Sequence, residues 1–177
     1  MKKFLVATAL AGCVMGASAQ NIIERPTFGD NWNIGIDVGA TTPLKGHSFF
    51  QNMRPTVGLH FGKQLTPLFG VGVEGIFGIN TSSVNGHRHS HTAFDNSYVG
   101  GYGTFNLTNA FLGFSCDPRP FGLEAVAGIG WSRDYIANHH DPNDISTKFG
   151  LNFNFNVSEN VSIALKPSVL FNLTGNN

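Results

Sequence analysis

The chain has 177 residues, with 11 Lys plus Arg against 11 Asp plus Glu, 12% charged and 41% hydrophobic residues, 22 Gly and 16 Phe. Soluble domains are about a quarter charged and about 7% Gly, so this chain is charge-poor and glycine-rich. Coiled coils, charged disordered tails and nucleic-acid binders with a basic face all need more charge, and those classes are excluded.

Residues 1–19 run from Met1-Lys2-Lys3 through an apolar stretch, Phe4 to Met15, to Ala17-Ser18-Ala19. A charged start, an apolar middle and an A-x-A site predict a secretory signal peptide cleaved after Ala19. The stretch is too short for the roughly 20 apolar residues of a spanning helix. Leu10-Ala11-Gly12-Cys13 offers a rival reading as a lipobox with Cys13 lipidated, at the cost of a very short apolar region. Loss of Lys2 and Lys3 leaves the mature chain, residues 20–177, mildly acidic. With Cys13 removed, Cys116 has no partner for a disulfide framework.

From there on no convincing helical period occurs, and alternation with period two recurs. Trp32, Ile34, Ile36, Val38 and Ala40 oppose Asn33, Gly35, Asp37, Gly39 and Thr41. Val57, Leu59 and Phe61 face away from Thr56, Gly58, His60 and Gly62. Phe69, Val71, Val73, Phe77 and Ile79 oppose Gly70, Gly72, Glu74, Gly78 and Asn80, with Ile76 as a lapse on the polar face. Tyr98 to Leu107 is a strand whose facing the pattern leaves open. Phe121 to Trp131 alternates against Gly122, Glu124, Gly128, Gly130 and Ser132. Phe149, Leu151, Phe153, Phe155 and Val157 oppose Lys148, Gly150, Asn152, Asn154 and Asn156. Val161 to Leu173 alternates with Ser162, Lys166, Ser168 and Asn172, and Pro167 predicts a local bend.

The connections alternate too. Leu65-Thr66-Pro67 and Ser158-Glu159-Asn160 are tight turns, whereas 42–53, 81–97 and 134–145 are long and polar, and 108–120 is intermediate. Short turns at one end and long loops at the other predict an all-β, antiparallel, up-and-down transmembrane barrel of the eight-stranded type. The small polar face suits an interior just wide enough for side chains, and the large aromatic face suits lipid. Charges in so dry an interior must pair. Asp37, His60, Glu74, Glu124, Lys148 and Lys166 are therefore the candidate interior network, and Trp32, Trp131 and Tyr135 the candidate interfacial aromatics.

The signal ending Ala17-Ser18-Ala19, the opening Asp30-Asn31-Trp32-Asn33-Ile34-Gly35, the stretch Phe105-Asn106-Leu107-Thr108-Asn109 and the strand Ala125 to Trp131 resemble the outer-membrane β-barrel family related to the OmpA transmembrane domain. The resemblance implies an eight-stranded integral barrel that stabilises the envelope or displays loops, and it brings no catalytic positions. Seven strands are visible, and a closed barrel with both termini periplasmic needs an even number. The expectation is that a closing strand is missing beyond Asn177, with Asn109 to Ser115 as the alternative source of an extra short strand.

His87, His89 and His91 alternate in an extended backbone, so three imidazoles on one side are the candidate metal ligands, against a solvated polar loop. Asp141-Pro142-Asn143-Asp144 lacks the Gly and distal Glu of a calcium loop. His47-Ser48 and Ser90-His91 carry the residue types of a lipid-modifying barrel enzyme, but sequence neighbours point apart and no supporting carboxylate is identifiable. The expected function is therefore non-enzymatic: an exported, cofactor-free outer-membrane barrel of a Gram-negative-type bacterium, with little or no pore activity. Its expected partners are lipids and, through the long loops, extracellular ligands, with no nucleic acid. The competing reading is a soluble lipocalin-like barrel with its apolar face inward around a hydrophobic ligand.

Overall fold

The structure is a computed structural model and describes residues 5–10, 16–17, 28–43, 53–80, 93–115, 119–135, 143–158 and 161–173. Two pieces of strand come first, β1 (Leu5–Leu10) and β2 (Gly16–Ala17). Seven long strands follow: β3 (Trp32–Pro43), β4 (Arg54–Gln64), β5 (Phe69–Ile79), β6 (Phe94–Asn106), β7 (Phe121–Asp134), β8 (Asn143–Ser158) and β9 (Val161–Asn172). One short helix, α1 (Leu107–Leu112), separates β6 from β7. Each long strand pairs antiparallel with the next in the chain, so β3 to β9 form a continuous meander that curls into a half-barrel.

The first and last strands of that meander have an unpaired edge each, and unpaired backbone groups are costly wherever water is excluded. In the structure those edges are not left open. Strand β1 lies antiparallel to both, with Val6 to Ala9 opposite Pro43 to Ala40 of β3 and Leu5 to Leu10 opposite Phe171 to Lys166 of β9. Strand β2 continues along β9 opposite Ser162 and Val161. The apolar stretch read as a leader thus takes the place that strand counting leaves vacant, and the vacancy is one strand wide.

Two further expectations are corrected. No helix was anticipated, and the alternative for 109–115 was a strand, yet Leu107–Leu112 is helical. Asn106 caps it, its side chain accepting from Asn109 N at 2.8 Å, and Gly113 ends it in the left-handed region at φ 74. Six residues are too few to show a helical period. The strand expected at Tyr98 begins instead at Phe94, and its start carries a bulge: Gly78 pairs with Asn96 while Ile79 pairs with Phe94, leaving Asp95 as the extra residue.

Facing is settled by burial. Asp37, His60, Glu74 and Lys148 are buried, whereas Ile36, Leu59, Val73 and Phe149 on the opposite parity are more than half exposed. Ile76, which interrupts the polar pattern of β5, points inward and packs with Tyr98 and Leu170. The two tyrosines of β6 likewise face in, and glycines make room for them. A Cβ on Gly72 would lie 2.5 Å from the Tyr102 ring, and one on Gly100 2.5 Å from the Tyr98 hydroxyl.

Candidate functional site

The inward positions of the sheet divide into two zones along the strands. In the half nearer the long loops, side chains fill the space. The bulge turns Asp95 inward, where it is fully buried and paired with Arg54 from two strands away. Beside it Ser132, Ser146, Asn172 and Asp144 form a relay across β7, β8 and β9: Ser132 and Ser146 hydroxyls lie 2.6 Å apart, Ser146 donates to Asn172 at 2.7 Å, and Asn172 to Asp144 at 3.2 Å. Below them sits the apolar plug of Ile76, Tyr98 and Leu170.

Midway along the strands lie two separate ionic groups. Lys148 of β8 donates to Glu74 of β5 at 2.5 Å, joining residues from opposite walls. Lys166 of β9 donates to Asp37 of β3 at 3.0 Å, and the other oxygen of Asp37 lies 2.9 Å from His60 Nδ1. Because a carboxylate only accepts, that contact makes Nδ1 the protonated ring nitrogen. Lys166 Nζ, 3.3 Å from the same nitrogen, is then a close neighbour of the imidazole whose hydrogen bond goes to Asp37.

Five of the six candidate network residues are brought together in this way, in two groups rather than one. The sixth, Glu124, is set apart. It accepts a long hydrogen bond from Asn152 Nδ2, at 3.4 Å. Arg54 and Asp95 belong to the interior ionic set and were missed by the sequence reading, because Asp95 lies where the two-residue period breaks. The broken period itself, Phe94-Asp95-Asn96, was the available signal.

Below the ionic groups, toward the short turns, the interior opens into a cavity of about 430 Å³. Its floor is His60, Glu74, Lys148 and Lys166, and its walls carry Tyr102, Thr104, Glu124 and the amides of Asn152, Asn154 and Asn156. Helix α1 lies beside the mouth, held by Asn109 Nδ2 donating to Pro67 O at 2.8 Å and by Arg119, which donates to Gly113 O at 2.8 Å.

The outward face has a different chemistry. Among the described residues of β3 to β9 its charged side chains are Lys63, at the short-turn rim, and Arg133, at the long-loop rim. Aromatic pairs gather near both rims. Trp32 stacks on Phe61 with centroids 4.7 Å apart, and Phe69–Phe105 and Phe121–Phe155 face each other across strand pairs at 5.0 and 5.4 Å. At the other end Phe77 packs on Phe94 at 5.3 Å, and the Tyr135 hydroxyl reaches Ser97 Oγ at 3.2 Å. Of the candidate interfacial aromatics, Trp32 and Tyr135 lie at opposite ends, and Trp131 is exposed on the outer face of β7. Lys63 Nζ sits over both the Trp32 and Phe28 rings, 4.6 and 4.7 Å from their centroids.

The candidate metal ligands His87, His89 and His91, the His47-Ser48 and Ser90-His91 pairs and Cys116 lie outside the described residues, and Cys13 likewise. Among the described residues no cluster of His, Cys, Asp and Glu suits a metal ion. No family model matches the chain, nor does any curated protein or solved structure.

Proposed function

We propose that the chain is an integral outer-membrane β-barrel protein, exported by its leader, with a structural or surface-display role and little or no pore activity. The observation that carries this reading is the inverted facing. Large apolar side chains cover the outside while Asp37, Glu74, Asp95 and Lys148 are buried. In water that arrangement forfeits hydrophobic stabilisation; in a bilayer the apolar outer face is matched by lipid, and the interior ions are offset by their pairing with one another. A hydrophobic-ligand carrier needs the reverse, an apolar pocket under a polar surface.

The dimensions agree. From Ile145 to Val157 the outward residues of β8 span about 40 Å of strand, or about 28 Å of depth at a tilt near 45°, against an apolar band of about 25 Å in outer-membrane barrels. Aromatic pairs near both rims and cations at the rims fit the two membrane interfaces. The filled half of the interior supports the absence of a through-pore. Kinship with the OmpA-related barrels remains part of the proposal, resting on the quoted motifs and on the meander.

The test is fractionation of cells producing the chain, followed by gel mobility in detergent before and after boiling. Recovery in the outer membrane with a heat-dependent mobility shift supports the reading. Recovery as a soluble periplasmic protein overturns it.

A further inference from the structure

Helix α1 has two unlike turns. The first is packed: Asn106 caps it, Leu123 N donates to Thr108 Oγ1 at 2.7 Å, and Asn109 Nδ2 donates to Pro67 O at 2.8 Å. The second projects, with Phe111 82% and Leu112 71% exposed, and after Phe28 these are the most exposed large apolar side chains among the described residues. Apolar side chains exposed singly are ordinary, whereas two neighbours on one projecting turn form a patch.

The projecting turn is braced. Helix ends leave their last carbonyls without a partner inside the helix. Here Arg119 supplies one, donating to Gly113 O at 2.8 Å and to Leu112 O at 3.4 Å. No charged residue occurs from Leu107 to Ser115. The turn thus combines apolar side chains with end carbonyls satisfied from within the chain, which is what a water-poor setting requires.

Its position narrows the partner. Helix α1 starts two residues after Phe105, and β7 begins at Phe121; both rings belong to the aromatic pairs of the short-turn rim. Six residues make a helix about 9 Å long, so the tip stays within about that distance of the rim. The headgroup region of one leaflet is about 5–8 Å thick, which puts the tip at headgroup level or beside it. A protein interface sets an apolar centre in a polar rim, but the polar side chains of α1, Thr108 and Asn109, are already engaged. A lipid surface asks for no such rim.

Resting on the membrane reading above, we propose that α1 is an interfacial anchor, with Phe111 and Leu112 entering the headgroup–acyl boundary of the leaflet at the short-turn end.

The test places a nitroxide at Phe111→Cys, and separately at Leu112→Cys, in the full chain with Cys13→Ser and Cys116→Ser, refolded into phosphatidylcholine vesicles. Val73→Cys, outward in mid-strand, is the reference. Retention of the boiling-dependent gel shift shows that each variant folds. The expected result is at least about twofold greater accessibility to oxygen, which partitions into lipid, than to a water-soluble nickel chelate, at a depth of about 5–10 Å and shallower than the reference. Greater accessibility to the nickel chelate at both positions, with the reference in lipid, overturns the anchor and leaves the membrane reading standing. Dipolar broadening between labels that dilution with unlabelled chain removes would assign the patch to a second copy, and also overturns it. A reference label in water overturns the membrane reading and the anchor with it.

Discussion

Lys148 and Glu74 are 74 residues apart in the chain, and their side chains meet at 2.5 Å inside the sheet, from strands that share no hydrogen bond. Both are more than nine-tenths buried. Removing one partner leaves an ion buried and uncompensated, which costs about 3–5 kcal/mol, whereas replacing both by apolar residues of similar size is often neutral. We expect Lys148→Met to lower unfolding stability by that amount and Lys148→Met with Glu74→Leu to recover most of it. Urea unfolding of the refolded protein in lipid vesicles measures the difference; equal losses in the single and double variants would show that the pair is not coupled.

The glycines of β7 differ in what they guard. A Cβ on Gly130 would lie 2.4 Å from the Val99 carbonyl oxygen and 2.6 Å from Gly100 Cα, backbone atoms that cannot step aside. At Gly122 the nearest atom would be Asn154 Cβ at 3.8 Å. Gly130→Ala should therefore cost about 1–3 kcal/mol through forced backbone shifts, and Gly122→Ala should be close to neutral. Thermal or urea unfolding of the two variants side by side checks it.

Much of this was legible in the residues because β-strand facing has a period of two, and a sheet with opposite chemistries on its two faces prints that period directly. Phe149 to Val157 against Lys148 to Asn156 is the plainest case, and both lysines of the ionic groups fall on the polar side of such runs. Three things were not legible. A six-residue helix is shorter than two turns, so Leu107–Leu112 left no periodic trace. The bulge at Asp95 shifts the period by one residue, which hid the Arg54 partner. How the polar residues group is a matter of register across strands, and spacing along one strand cannot separate Glu124 from the lysines.

If the outer face meets lipid, the depth of a new charge should decide its cost. Ile36 lies mid-strand and outward, and Ile36→Arg should destabilise by about 2–4 kcal/mol in a bilayer. Val161 begins β9 at the short-turn end, and Val161→Arg should cost about 0–1 kcal/mol. Equal costs in vesicles would argue against immersion of this face.

Strand β1 bridges the outer edges of β3 and β9, with β2 covering the start of β9. Loss of residues 2–19, which the proposed cleavage after Ala19 also brings about, uncovers the outer ladders of β3 and β9, and open ladders recruit strands from other copies. Light scattering after gel filtration in detergent should then show dimers or larger species for the shortened chain and fewer for the full one. A monodisperse shortened chain would mean that the edges are satisfied in some other way.

The placement of Lys63 and Arg133 has a mechanical consequence. With these two as the outward charges of the described strands, and at opposite rims, the sheet would carry a draught mark at each waterline of the membrane proposed for it. A shift of one residue, about 3.3 Å of strand, in either direction would drag one of them toward hydrocarbon. If the outer face meets lipid as proposed, the bilayer answers such a shift with a restoring force from whichever side is being submerged, and the level at which the molecule floats is written into two residues.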